Sequence, residues 1–139
     1  MSHAGKCLCG AVQFAVDEIH EIDVCHCTMC RNWNGGPYVG ADIRGQVRFK
    51  SDETLKWYDS SEWAKRGFCT TCGTSLFYRL KEDQDFWSIS AGVFDLPQGM
   101  SISKEIFVDE KPDYYNFSGD QPRYTGPEFL AMIQGQSDE

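Results

Sequence analysis

The chain has 139 residues, of which 41% are hydrophobic, 24% charged and 14% aromatic, and its formal net charge is −8. This apolar content excludes a disordered or low-complexity protein, and the length corresponds to one domain. The negative charge disfavours a nucleic-acid-binding protein, and no apolar run approaches the roughly 20 residues that a membrane span needs. Because the first residues also lack the apolar segment of a signal peptide, we expect a cytoplasmic protein that binds neither nucleic acid nor membrane.

Short runs of alternating or β-branched residues, separated by glycines, predict a mainly β protein. In chain order, the predicted strands are 11–16, 38–41, 47–49, 55–58, 75–80, 86–90 and 102–108. One helix is expected late in the chain, with Pro127 in its first turn. Residues 134–139 form a polar tail, so the sequence predicts a single domain over residues 1–133.

Seven cysteines stand in three clusters. They form C-x-C at Cys7 and Cys9, C-x-C-x-x-C at Cys25, Cys27 and Cys30, and C-x-x-C at Cys69 and Cys72. An odd number cannot be fully paired within one chain, and a reducing cytosol does not keep disulfides. Clustered cysteines in such a protein indicate metal or redox sites rather than buried structural thiols.

The seven thiolates divide naturally into four and three, which predicts two Zn²⁺ ions per chain. Four ligands close a structural zinc site, whereas three leave a position open for chemistry. In one partition, the C-x-C-x-x-C cluster holds one ion, and the C-x-C and C-x-x-C pairs together hold the other. The spacing also permits a four-ligand site made of Cys27, Cys30, Cys69 and Cys72.

A zinc ion with three thiolate ligands is a weaker Lewis acid than one held by three neutral imidazoles. It is better matched to binding an incoming thiol as thiolate, which points to thiol transfer or carbon–sulfur bond chemistry. Alternatively, His26 or another residue closes this site as a second structural one. In an extended segment, however, His26 would point away from an ion shared by Cys25 and Cys27.

These motifs resemble those of the glutathione-dependent formaldehyde-activating family, which shares its domain with centromere protein V. The segments that carry the resemblance are GKCLCGAV from Gly5, CHCTMCR from Cys25, GFCTTCGTSLF from Gly67 and IFVDEKP from Ile106. The resemblance implies a mainly β fold of several small antiparallel sheets held together by zinc, with at most one or two short helices.

The resemblance also implies different roles for the two groups of cysteines. Cys25, Cys27 and Cys30 would hold a catalytic zinc, and a structural zinc would be held by Cys7, Cys9, Cys69 and Cys72. The implied activity is that of a carbon–sulfur lyase run in reverse, in which glutathione and formaldehyde condense to S-hydroxymethylglutathione.

Glutathione is anionic, so its pocket needs local cations. Arg31 directly follows Cys30 and is the first candidate for binding a carboxylate through two hydrogen bonds; Lys65 and Arg66 are the second, and solvated surface charge is the alternative for all three. Two functions therefore remain. One is a zinc-dependent, thiol-activating carbon–sulfur lyase acting on a glutathione–formaldehyde adduct or a related thiol and electrophile. The other is a non-catalytic binding module held together by zinc.

Overall fold

The computed structural model describes residues 2–137, and this range is mainly β, with eleven strands and two α-helices. The strands are β1 (His3–Lys6), β2 (Gln13–Val16), β3 (Glu21–Cys25), β4 (Tyr38–Arg44), β5 (Arg48–Ser51), β6 (Leu55–Asp59), β7 (Ala64–Cys69), β8 (Ser75–Leu80), β9 (Phe86–Ser90), β10 (Ile102–Ile106) and β11 (Arg123–Tyr124). The helices are α1 (Thr28–Asn34) and α2 (Gly126–Ser137). No helix within residues 2–137 is long and apolar enough to cross a membrane.

The predicted strands 75–80 and 86–90 have the observed bounds of β8 and β9. The predicted strand 102–108 is too long, because Phe107 adopts a left-handed φ of 58° and a 3₁₀ turn, Val108–Glu110, follows it. The helix expected around Pro127 is present as α2, and it continues into the predicted polar tail as far as Ser137. The last two residues of that tail lie outside the described residues.

The chain divides into two compact units, each built from two segments. The first contains the residues up to Glu21 and Gly40–Met100, and the second contains Ile22–Val39 and the residues from Ser101 onward. The single domain over residues 1–133 stays a prediction.

The first unit is antiparallel throughout. One set of strands has the order β1-β2-β5, and the other has the order β4-β9-β8-β7-β6. Its core is rich in aromatic rings: Phe77 packs against Phe14 at a centroid distance of 5.0 Å and against Trp87 at 5.4 Å. A side chain at Gly67 would come within 3.0 Å of the Trp57 ring, so glycine allows the neighbouring rings to pack closely there.

The second unit contains parallel strands, unlike the antiparallel arrangement that the resemblance implies. Strand β10 runs parallel to both β3 and β11. Strand β10 is separated from β3 by a long stretch of chain. A connection of that length permits parallel pairing, whereas a short hairpin turn permits only antiparallel pairing. The register places Glu105 opposite Val24 and Ile106 opposite Cys25, so β10 lies beside the strand that leads into the second cysteine motif.

Candidate metal centres

The first unit contains a cluster of four cysteine sulfurs. The Sγ atoms lie within 4.8 Å of one another, and they belong to Cys7, Cys9, Cys69 and Cys72. The Cys7 and Cys9 sulfurs are 3.6 Å apart, and the Cys9 and Cys69 sulfurs are 3.9 Å apart. This cluster, called the four-cysteine cluster below, joins loops separated by 60 positions in the sequence.

Each loop of the four-cysteine cluster is a tight turn closed by backbone hydrogen bonds. The amide of Gly10 donates to the carbonyl of Cys7 at 3.1 Å, and the amide of Gly73 donates to that of Cys69 at 2.8 Å. Both glycines have a left-handed φ of 81°, a conformation that side chains disfavour. The chain therefore reverses directly after the second cysteine of each pair, which turns both sulfurs of the pair to one place.

Polar groups of the chain contact the sulfurs directly. The amide of Val12 donates to Cys7 Sγ at 3.3 Å, and the hydroxyls of Thr54 and Thr74 lie 3.3 Å from Cys69 Sγ and 3.1 Å from Cys72 Sγ. The Thr54 contact lowers the pKa of Cys69. The hydrogen bond from Thr74, with backbone amides, lowers the pKa of Cys72 to about 5.

Cys9 shows the opposite tendency. The Ala11 amide lowers its pKa, but partial desolvation and the three neighbouring thiols outweigh that effect and raise the pKa to about 11. Four thiolates this close repel one another, so full ionisation needs a cation among them. Four converging sulfurs fit the ligand set of a tetrahedral structural zinc site.

The second unit contains a cluster of three cysteine sulfurs, called the three-cysteine cluster below. Cys25 ends β3, Cys27 caps the start of α1, and Cys30 lies buried in the first turn of that helix. Their Sγ atoms lie within 4.8 Å of one another, and the Cys30 amide donates to Cys27 Sγ at 3.3 Å. Contacts with the other two thiols, together with burial, raise the pKa of Cys25. A soft cation fits this donor set because it would keep the three thiols ionised.

Both clusters could hold a metal ion, and they follow the first of the two partitions that the spacing allows. Among residues 2–137, no fourth His, Cys, Asp or Glu ligand atom lies within 4.8 Å of all three sulfurs of the three-cysteine cluster.

His26 lies between two of these cysteines, yet its ring is used elsewhere. It is fully buried; Nε2 is 2.8 Å from Glu105 Oε1, and Nδ1 is 2.8 Å from the hydroxyl of Tyr115. Burial lowers the pKa of His26 and outweighs the opposing effect of Glu105, so the ring is neutral at pH 7. Nε2–H therefore donates to the carboxylate, and Nδ1 accepts from Tyr115. His26 does not close the cluster.

Glu105 is 1% exposed and uses both carboxylate oxygens. Oε1 accepts from His26, and Oε2 accepts from Gln121 Nε2 at 2.7 Å and from Arg123 Nε at 2.9 Å. Burial would raise the pKa of Glu105, but the hydrogen bonds from His26 and Gln121 and the charge of Arg123 hold it below its ordinary value. Sequence reasoning missed this group because no short motif connects positions 26 and 105.

The predicted substrate-binding cations have different surroundings. Arg31 lies in α1, and its Nε donates at 3.1 Å to the backbone carbonyl of His26, the residue between Cys25 and Cys27. Lys65 lies over the Trp57 ring at 4.7 Å, and Arg66 is 3% exposed and lies over the Tyr78 ring at 4.9 Å. Arg66 is therefore not a solvated surface charge. A contact between Arg31 and a carboxylate stays a prediction.

Comparison with known proteins identifies the family. The profile described as "Glutathione-dependent formaldehyde-activating enzyme" matches residues 2–110. An uncharacterised lyase of Schizosaccharomyces pombe is 29% identical over 132 residues, which cover 94% of this chain and 96% of that protein. A crystal structure of a Rhodobacter sphaeroides protein has the same fold, with a TM-score of 0.55 and 22% identity over 86% of this chain and 98% of that one. The chain therefore belongs to the glutathione-dependent formaldehyde-activating enzyme family.

Proposed function

We propose that this protein is a zinc-dependent carbon–sulfur lyase that joins glutathione, or a related small thiol, to formaldehyde or a related small electrophile. The observation that carries the proposal is the three-cysteine cluster, which gathers three soft ligands without a fourth histidine, cysteine or carboxylate from the described residues. The family description and the name of the yeast relative support the same class of reaction.

The reaction needs neither an oxidant nor a reductant. In the direction of synthesis, the thiol sulfur bonds to the aldehyde carbon, the carbonyl π electrons move to the oxygen, and the thiol proton ends on that oxygen. The reverse reaction breaks the same carbon–sulfur bond. Zinc bound by three thiolates would supply a soft acceptor that stabilises the ionised form of a thiol near neutral pH.

The two cysteine clusters and Arg31 would have separate roles in the reaction. In this proposal Cys25, Cys27 and Cys30 hold the catalytic ion, and the four-cysteine cluster holds a structural ion. Arg31 binds a carboxylate of glutathione and thereby brings the thiol to the cluster. We also expect a cytoplasmic location, because seven free thiols persist in a reducing compartment.

A thiol titration of the cobalt-substituted protein tests the site. Glutathione should change the thiolate-to-metal charge-transfer bands, and glutathione diethyl ester, which lacks free carboxylates, should bind more weakly. Arg31→Ala should weaken glutathione binding by about 1.5–3 kcal/mol more than it weakens binding of the diester, the range for a hydrogen bond to a charged group. A loss that both thiols share would report the Arg31 bond to the His26 carbonyl. Arg44→Ala, which removes an exposed arginine paired with Asp83, is the matched control.

Catalysis is measured as the exchange of ¹³C-formaldehyde with S-hydroxymethylglutathione by NMR. The zinc-loaded protein should accelerate this exchange beyond the uncatalysed rate, and Cys27→Ser should abolish the acceleration. Bands that respond to neither thiol would instead support the non-catalytic binding module. Equal affinity for glutathione and its diester would remove Arg31 from the substrate site.

A further inference from the structure

We propose that Glu105, acting through His26, is a positioning residue for the three-cysteine cluster: it fixes the directions in which Cys25 and Cys27 present their sulfurs. The inference rests on the proposed metal site and assigns a task to a buried carboxylate that the reaction itself does not use. The argument starts from the backbone between the two cysteines.

His26 is held at four points. Its amide donates to the carbonyl of Ile106 at 3.0 Å, and its own carbonyl accepts from Arg31 Nε at 3.1 Å. The two ring nitrogens are bonded to Glu105 and Tyr115. The ring also stacks on Tyr115, with an interplanar angle of 23°. These contacts restrict both the backbone dihedral angles of His26 and the orientation of its ring.

The side chains of successive residues in extended backbone point to opposite sides. Fixing the His26 ring against β10 therefore turns Cys25 and Cys27 to the other side. The burial agrees, since His26 is fully buried whereas the two cysteines on either side are half-buried. The carboxylate of Glu105 thus determines the geometry of two ligands that it does not touch.

Glu105 is itself fixed by the two donors on its second oxygen. Arg123, which donates one of these bonds, is anchored in turn by the backbone carbonyls of Phe117 and Gly119 at 3.0 and 3.1 Å. A buried carboxylate with all its partners in place is rigid, and removing one charge from such a network leaves the other groups unsatisfied.

The test is Glu105→Gln, which keeps the shape of the side chain. A carboxamide has one acceptor oxygen and one donor nitrogen. It cannot accept from His26 on one side and from Gln121 and Arg123 on the other. His26 therefore either loses its bond to residue 105 or changes tautomer, so that Nε2 accepts from the amide and Nδ1–H donates to Tyr115. Tyr115→Phe is the second variant: it removes the partner of His26 Nδ1 and keeps the stacked ring.

The readout is the affinity and absorption spectrum of Co²⁺ at each cluster. The Cys27→Ser chain gives the spectrum of the four-cysteine cluster alone, so the two clusters can be separated in the other variants. We expect Glu105→Gln combined with Tyr115→Phe, which removes the acceptor for Nδ1–H, to weaken Co²⁺ binding at the three-cysteine cluster by about 10–100-fold, as is typical when a group that orients metal ligands is lost. Glu105→Gln alone should give a smaller loss, as should Tyr115→Phe alone, and the four-cysteine cluster should be unchanged in all three variants.

Asp23→Asn is the matched control. It removes a partly buried carboxylate that pairs with Lys104 at 3.3 Å between the same two strands, without touching His26. Amide exchange in β3, β10 and α1 identifies variants in which the second unit remains folded. If Glu105→Gln loses amide protection in these elements, the Co²⁺ affinity of Tyr115→Phe tests the positioning role instead.

The outcomes separate this inference from the proposed function. Wild-type protein that binds Co²⁺ at the four-cysteine cluster but not at the three-cysteine cluster would overturn the proposed catalytic metal site and the positioning role together. Two ions in the wild type, with unchanged affinity and spectrum at the three-cysteine cluster of the folded variants, would overturn the positioning role alone. An equal loss in Asp23→Asn would also overturn it, because any missing carboxylate between β3 and β10 would then have the same effect.

Discussion

Threonine hydroxyls, rather than charged side chains, contact two sulfurs of the four-cysteine cluster. The Leu8 amide donates to Thr74 Oγ1 at 3.1 Å, which leaves the hydroxyl hydrogen of Thr74 for Cys72 Sγ. A neutral donor stabilises a thiolate without adding a positive charge that would compete with a bound cation. Thr74 also links the two loops of the cluster, because Leu8 and Cys72 belong to different turns.

Thr74→Val should weaken metal binding at the four-cysteine cluster. Valine has the same shape, but it leaves the Leu8 amide without its acceptor and Cys72 without its donor. We expect faster zinc transfer to a chelator and an affinity about 10–100-fold lower. Thr71→Val, an exposed threonine of the same C-x-x-C loop, is the control. Equal zinc release from the two variants would contradict a role for the Thr74 hydroxyl.

At this scale, the sequence predicts the grouping of the cysteines better than the residues that contact them. Cysteine spacing alone predicted two ways of dividing the seven cysteines, and one of them is the observed grouping. This was possible because sulfurs two or three positions apart can converge locally. The alternation of side chains along extended backbone likewise predicted that the His26 ring points away from the side chains of Cys25 and Cys27. Glu105 and Tyr115 could not be predicted, since their contacts with His26 span 79 and 89 positions and depend on the pairing of distant strands.

Helix α2 begins with a reciprocal pair of hydrogen bonds. The Thr125 hydroxyl accepts from the Glu128 amide at 3.2 Å, and the Glu128 carboxylate accepts from the Thr125 amide at 2.8 Å. This capping box satisfies two amides that the helix cannot pair internally. The hydrogen bond from the Thr125 amide, followed by a contact of the carboxylate with the Thr125 hydroxyl, lowers the pKa of Glu128.

Because the folded pKa of Glu128 is depressed, the stability it adds to α2 is present above its ordinary pKa. That stability is lost as the pH falls through the lower folded value. Glu128→Gln should therefore reduce amide protection in α2 at pH 7, and the difference from wild type should shrink below about pH 4. Zinc content, followed in parallel, separates acid release of metal from the change in the helix. A difference that does not depend on pH would contradict the assignment.

Elements with a strong local pattern were predictable, and elements that depend on a cysteine cluster or on pairing with a distant segment were not. Strands β8 and β9 are rich in aromatic and branched residues, and α2 has Pro127 in its first turn. Helix α1, by contrast, has only seven residues and a cysteine as its cap, so it lacks the usual starting signal. The parallel pairing of β3 with β10 follows from tertiary contacts that no local pattern contains.

Each compact unit contains one cysteine cluster. The four-cysteine cluster joins loops 60 positions apart in the first unit, whereas the three-cysteine cluster spans a single short segment of the second. Metal at the first cluster would close a long loop, and the free energy of binding at structural zinc sites adds directly to folding stability. The two clusters should therefore differ in their effect on stability.

Native mass spectrometry should find two zinc ions per chain, and Cys27→Ser should leave a folded chain with one ion. Cys69→Ser should lower the melting temperature much further, because it opens the ligand set that links distant loops. Equal destabilisation by the two substitutions would contradict this division, as would free reactive thiols in the fully loaded protein. The matched change from cysteine to serine in each variant makes the comparison direct.

The 79 positions between His26 and Glu105 also have a consequence for protein synthesis. At about 5–20 residues per second, translation makes Cys30 several seconds before it makes Glu105. During this interval the nascent segment has all three sulfurs of its cluster but lacks the β10 strand against which His26 packs. Metal captured on the ribosome should therefore exchange readily at first, and it should become firmly held only after β10 has emerged and paired with β3.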